Sequence, residues 1–291
     1  MKTETDVNGT NVNGDGAGSA GNTGALSGIV GYSNDDLKKK NDGSKHCFAL
    51  ISPPTSPGEC SDRVMTDMFC SVGRAELSVK DIGECLKAVK KVADAENVWI
   101  ICLNADCIAG YGHIESAVFH AKRSWYEDKP IANSFEMEVL LYTGARRQCN
   151  EIGEFGLHKG NNDLFVCVCR EMKNKTADEN GKLAQRCDEH SAEYCSEYFE
   201  MNEKVFSELE REISLKSMNG SEFDADETDK TDKEGKADKA DNEAKSDKIS
   251  DKKLKKLMKL FDIPDEELSE VGIGRIEELI VEKVALLDIQ K

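Results

Sequence analysis

The residues of this chain that can pack are confined to two stretches, and what lies between and before them limits the fold. Residues 171–250 run into FDADETDKTDKEGKADKADNEAKSDK, where Phe223 is the one large apolar side chain. Such a segment cannot bury enough surface to offset the entropy of ordering it. Residues 1–44, rich in Gly, Asn, Thr, Ser and Asp and ending in NDDLKKKNDGSK, have the same defect. The chain therefore divides into a disordered extension (1–44), an α/β core (45–170), a charged helical and low-complexity acidic insertion (171–250), and C-terminal helices (251–291) that complete the core. Inside the insertion, EYCSEYFEMNEKVFSELEREI reads as a charged helix with Tyr198, Met201, Val205 and Leu209 on one stripe.

The same division places the charge. The net charge is −17, but residues 171–250 carry 23 acids against 13 bases, whereas residues 45–170 carry 17 against 14. A compact region so nearly balanced can still present a basic face to a polyanion. No run of eighteen apolar residues marks a membrane span, and MKTETDVNGT lacks the apolar stretch of a signal peptide. A soluble, cytoplasmic protein is expected. The eleven cysteines include no C-x-x-C spacing and sit mostly in apolar runs such as FVCVC, which reads as free, buried thiols in a reducing compartment. Cys167 and Cys169 share one face of a strand without further ligands nearby in sequence, so no metal and no cofactor is expected.

Periodicity orders the core. HCFALI (46–51) is a short strand followed by the turn-rich SPPTSPGE. Residues 78–94 place Val79, Ile82, Leu86, Val89 and Val92 at helical spacing, and NVWIICL then reads as a buried strand. GHIESAVFHAKRSW is a helix with the stripe Ile114, Ala117, Val118, Ala121 and Trp125. Asn133 and Glu136 have capping-box spacing before a helix that Gly144 ends; RRQCNEIGEF forms the next helix, and LFVCVC a strand. This order gives a mixed α/β fold of α+β character, a small sheet with packed helices, in one compact domain interrupted by the acidic insertion. DKKLKKLMKLF is a basic amphipathic helix that packs on the domain through Leu254, Leu257, Met258 and Phe261.

Sites of catalysis are hard to find. GYG (110–112) and GIG (272–274) lack the strand-to-helix setting of a phosphate loop and read as turns. His113 and His120 are two helical turns apart, too far for one metal ion. No serine stands in G-x-S-x-G, and no nucleophile is paired with a base. A catalytic role for the chain alone is disfavoured. Arg146 and Arg147 are the anomaly: cations in the first turn of a helix are disfavoured by about 0.3 to 1 kcal/mol. Either they serve the carbonyls of the preceding helix, or they form an anion site with the N–H groups of the next one.

The succession GHIESAVFHAKRSW, IANSFEMEVLLYTGARRQCNEIGEFGL, a short valine-rich strand and IEELIVEKVALLDIQ resembles the PRPK-binding protein family, the small regulatory subunit of the KEOPS (EKC) complex. Glu138, Leu140, Leu141, Gly144, Arg147 and Gln148 match the pattern of its archaeal members. The resemblance covers residues 45–170 and 252–291; the N-terminal extension and the insertion depart from the family's small domain. It implies a mixed α/β fold, no active site, direct binding to the complex's atypical small kinase, and indirect association with the threonylcarbamoyl transferase subunit. The pathway implied is formation of N6-threonylcarbamoyladenosine in tRNA, with this subunit holding the tRNA 3′ CCA end. On that footing the expected tRNA-binding residues are Arg146, Arg147, Lys122 and Arg123. The kinase contact falls on the helical faces of Ile114 and Val118 or of Val139 and Tyr142. Two alternatives stand beside it: a structural adaptor that never touches RNA, and a small-molecule sensor or enzyme built on the cysteine-lined strands around Cys102 and Cys167.

Overall fold

A computed structural model of the chain describes residues 29–32, 45–50, 66–127, 129–172, 192–218 and 249–289. Its sheet contains β1 (Ile29–Tyr32), β2 (Lys45–Leu50), β3 (Met68–Val79), β4 (Trp99–Asn104), β5 (Gly160–Glu171) and the two-residue β6 (Lys216–Ser217). The order is β1-β2-β3-β5-β4, with β6 on β3, and every pairing is antiparallel. The helices are α1 (Ile82–Glu96), α2 (Tyr111–Tyr126), α3 (Phe135–Thr143), α4 (Ala192–Ile213), α5 (Asp251–Leu260), α6 (Asp265–Val271) and α7 (Ile276–Ile289). The expected mixed α/β fold is the observed one. Among the described residues no helix is long and apolar enough to cross a membrane.

Both faces of the sheet are covered. Successive strand side chains point to opposite sides, so Phe165, Cys167 and Cys169 of β5 pack with Ile114 and Val118 of α2, Val139 of α3 and Val284 of α7. Leu164, Val166 and Val168 pack on the other side with Val89 and Val92 of α1 and with Val205 and Phe206 of α4. Two buried faces explain why FVCVC is apolar without alternation. A third cluster joins α5 and α6 to the 3-10 turns at Gly153–Phe155 and Ala105–Cys107, through Leu257, Phe261, Phe155 and Cys107.

Several expectations need correcting. The central strand β3 was not anticipated, because Ser71, Arg74, Glu76 and Ser78 interrupt its apolar residues; Val79, assigned to a helix, closes that strand. On α1, Val89 and Val92 are buried, but Ile82 and Leu86 are 37% and 51% exposed. The cap of α3 is Ser134, whose hydroxyl accepts from the Met137 N–H, one residue beyond the proposed capping box. RRQCNEIGEF makes no α-helix; it contains two 3-10 turns, Cys149–Glu151 and Gly153–Phe155.

The domain boundaries move as well. The helix placed in the insertion is part of the core: α4 lies across the sheet through Cys195, Tyr198, Phe199, Val205, Phe206 and Leu209, with Met201 facing out. Residues 29–32, assigned to the extension, extend the sheet by pairing with β2. The acidic run that follows Met218 and most of residues 1–44 lie outside the described residues. The C-terminal helices do complete the core, with Val284 and Leu287 in the same cluster as the α2 stripe.

Candidate functional site

The arginine pair follows a complete C-terminal cap on α3. The Arg146 N–H donates to the Leu141 carbonyl and the Ala145 N–H to that of Tyr142, both at 3.0 Å, while Ala145 adopts the left-handed conformation at φ 48°. This is a Schellman arrangement with alanine where glycine is usual. Gly144, at φ −82°, is needed for another reason. A Cβ there would come within 3.1 Å of Ile152 and Phe155, beneath which the helix end is tucked.

No helix begins after the cap, so the N–H groups required for a helix-end anion site are missing at Arg146 and Arg147. Nor does Arg146 serve the helix before it. Its guanidinium donates to the Leu260 carbonyl at 2.8 Å and to the Asp262 carboxylate at 3.0 Å, closing the C-terminus of α5. A cation there complements the partial negative charge of the helix end. Arg147 is exposed. Arg146 thus meets α5, which carries Lys252, Lys255 and Lys259 on its exposed side, and Lys256 facing Asp106 at 3.6 Å.

The other two expected tRNA contacts are engaged elsewhere. Lys122 is 3% exposed and donates to the Leu50 carbonyl at 2.9 Å, and burial pulls its ammonium down to about 8. It ties α2 to β2 in the interior. Arg123 pairs with the Asp288 carboxylate near the end of α7. Asp288 also accepts from the Tyr142 hydroxyl and bonds His120 Nδ1 at 2.6 Å. Burial and the adjacent carboxylate push the Tyr142 hydroxyl pKa upward. Asp288 therefore gathers α2, α3 and α7 at one point, using two residues, Arg123 and Tyr142, expected to serve different partners. Ile114, Val118, Val139 and Tyr142 are all fully buried. Their stripes face this chain's own core, so these side chains form no surface for a kinase.

The opposite end of α7 is anchored too. Glu277 accepts from the His113 N–H at 3.0 Å and caps the N-terminus of α2, where Gly110 has no side chain to do so. Burial pushes the Glu277 carboxyl upward, while the backbone N–H groups of His113 and Gly112 oppose that shift. A Cβ on Gly110 would collide with the Glu277 carboxylate. GYG, read above as a turn outside any strand-to-helix setting, opens α2, with Gly110 as its N-cap and Tyr111 and Gly112 in its first turn, and its glycines make room for this carboxylate. With Glu277 at the start of α2 and Asp288 near its end, α2 and α7 run parallel. His113 follows within this junction. Its Nδ1 accepts from Ala109 N–H at 3.3 Å, so its Nε2 carries the proton given to the Thr143 carbonyl at 2.9 Å.

The cysteine-lined strands do not form one site. Cys102 packs toward the α1 face and Cys167 lies in the α2 face, so the two do not converge. Burial pushes the Cys102 thiol up to about 12. An open cavity of about 490 Å³ is lined by Glu76, Ser78, Asn161, Asp163 and Lys216 among others, with no cysteine or histidine. Among the described residues no group of three or more His, Cys, Asp or Glu side chains is placed to hold a metal ion. No protein-family model and no curated protein matches the chain.

Sequence reasoning missed Asp288, Glu277 and the approach of Arg146 to α5. The first carried a signal: a lone acid in the apolar run VALLDI calls for a buried partner. The last had none, because the two elements are more than a hundred residues apart.

Proposed function

We propose that this chain is a non-catalytic subunit of KEOPS type, working in the cytoplasm, which binds an atypical small kinase and the 3′ end of tRNA. One observation carries the reading. Three of the four segments on which the resemblance rests form one body, α2 against α3 and α7, fastened at Asp288 and Glu277. The RNA surface is then the exposed side of α5 with Arg147, Lys252, Lys255 and Lys259, while Arg146 supports it from behind by capping α5. The kinase contact falls on the exposed apolar end of α7, where Leu286 and Ile289 are 42% and 78% exposed.

A structural adaptor that never touches RNA is the second reading, favoured by the engagement of Lys122, Arg123 and Arg146 within the fold. tRNA affinity measured at several salt concentrations separates the two. On the first reading, Arg147→Glu with Lys259→Glu weakens binding and flattens the log–log salt dependence by about 0.7 for each lost phosphate contact with a single-stranded tail. Arg146→Glu chiefly lowers the melting temperature. Unchanged affinity in the first variant leaves the adaptor; failure to capture the kinase and transferase with the native protein ends both KEOPS readings.

A further inference from the structure

Three thiols that the proposed function does not use meet on the α2 side of the sheet. Cys70 stands opposite Cys169 in the β3–β5 ladder, and Cys167 lies two residues along β5 on the same face. The Cys70 thiol donates to Cys169 Sγ at 3.4 Å, and the sulfurs of Cys167 and Cys169 are 3.5 Å apart. All three are fully buried. They are too close to surround an ion, since zinc at about 2.3 Å from each sulfur would hold tetrahedral ligands about 3.8 Å apart.

The register says which pair can be joined. Met172 N–H donates to the Asp67 carbonyl at 2.7 Å, making 67 and 172 a hydrogen-bonded pair. Such pairs alternate along an antiparallel ladder, so Cys70 and Cys169 form a non-hydrogen-bonded pair, with Cα atoms about 4.5 Å apart. That lies within the span of a disulfide. Cys167 and Cys169, next-but-one on a strand, are about 6.7 Å apart at Cα, near the outer limit. Cys169 thus lies between the other two sulfurs, accepting from Cys70 and able to donate to Cys167. Hydrogen bonds from both neighbours hold the Cys167 thiol below its ordinary range, whereas burial pushes Cys70 and Cys169 up.

We propose that this trio is an oxidation site, at which a small hydroperoxide produces a Cys70–Cys169 disulfide across β3 and β5 with Cys167 as the sulfur first oxidised. The Cys167 thiolate displaces hydroxide from hydrogen peroxide; an S–O bond forms, the O–O bond breaks, and the hydroxide leaves as water after taking a proton. Cys169 then attacks the Cys167 sulfur and expels the oxygen as a second water. Cys70 attacks Cys169 and releases Cys167 as a thiol. Two thiols and one peroxide become one disulfide and two waters. The less strained cross-strand link is the end product. Because the sulfurs are covered, peroxide reaches them through a fast, reversible local opening of the helix layer, and attack by Cys167 on the peroxide is the slow step.

The test uses the full chain with Cys60, Cys149 and Cys187 changed to serine, incubated natively with hydrogen peroxide to completion. Cys149 is exposed and would react first; the other two lie outside the described residues. The expected result is an intact mass lower by about 2 Da, with one dithiothreitol-sensitive peptide linking Cys70 to Cys169. Adding Cys167→Ala should slow the reaction several-fold without changing the linked pair, and Cys70→Ala should abolish the link. An unchanged mass, or a disulfide that excludes Cys70, overturns the proposal. Equal rates with and without Cys167 overturn the order of attack. The first two outcomes need no variant at the three core positions, so a failure of those variants to fold does not blur them.

Discussion

His113 should make this protein lose stability as the pH falls from neutrality, by an amount that follows from its position. The ring is wholly buried between α2, the end of α3 and Phe261, and its two nitrogens are already committed as one acceptor and one donor. Protonation would put a second N–H against the Ala109 N–H, in a site that cannot hydrate it. Burial accordingly pulls its pKa from 6.5 to about 4. Above pH 6.5 the ring is neutral in both folded and unfolded chains. Between 6.5 and 4 the unfolded chain takes up a proton that the folded one refuses, so stability drops through this window and the loss saturates below about 4. At 1.36 kcal/mol per unit the full loss is about 3 kcal/mol, of which about 2 kcal/mol has gone by pH 5. Urea unfolding of wild type and His113→Gln at a series of pH values measures it. Glutamine can accept and donate in the same places but does not titrate, so every other group cancels in the difference. Wild type should lose about 2 kcal/mol more than the variant between pH 7.5 and 5. Parallel curves, or an NMR titration of His113 with a midpoint near 6.5, would refute the reasoning.

Other outcomes follow from the same packing. Asp288→Asn replaces an acceptor shared by His120, Arg123 and Tyr142, which should cost about 3 kcal/mol once the half-exposed arginine is discounted, and lower Tm by about 6 to 12 °C; a shift below 2 °C counts against the hub. Lys122, held to about 8 by burial, should make wild type gain stability relative to Lys122→Met as the pH rises from 8 to 10.5, by about 3 kcal/mol in denaturant titrations. No gain means that the ammonium reaches water. Gly110→Ala should destabilise by driving Glu277 off the start of α2, and adding Glu277→Ala should cost less than the sum of the two, with a coupling of about 0.5 to 3 kcal/mol in thermal melts. Strict additivity would place Glu277 elsewhere.

The parts of the fold that could be read in sequence are those with one local cause. The α2 stripe and the strand WIICLN each follow from spacing alone, and Gly144 does sit at the end of α3. β3 could not be read so simply, because both its faces are buried as far as Val72 and two of its polar members are tied up by other elements, Asn202 of α4 donating to Ser71 and Asp163 of β5 pairing with Arg74, while Glu76 and Ser78 are exposed. The buried face of α4 was only half legible. Tyr198, Val205 and Leu209 were read correctly, while Asn202, fully buried through its bonds to Ser71 and Arg170, looks like solvent exposure in sequence. For the candidate site the failure was one of direction. Arg146, Arg147, Lys122 and Arg123 stand out in sequence as cations, but a lysine that reaches an interior carbonyl and an arginine that closes a distant helix carry the same letters as ones that face a phosphate.

The parallel seating of α2 and α7 has a consequence for how the protein is made. About 150 residues separate the two helices, so at 5–20 residues per second the ribosome releases α7 on the order of 10 s after α2. Until then Ile114, Val118 and the thiols of Cys167 and Cys169 lack part of their cover, and Glu277 and Asp288 have not arrived to fasten either end. The nascent chain thus passes through a period in which this apolar, thiol-bearing surface is open, and it closes only when α7 emerges.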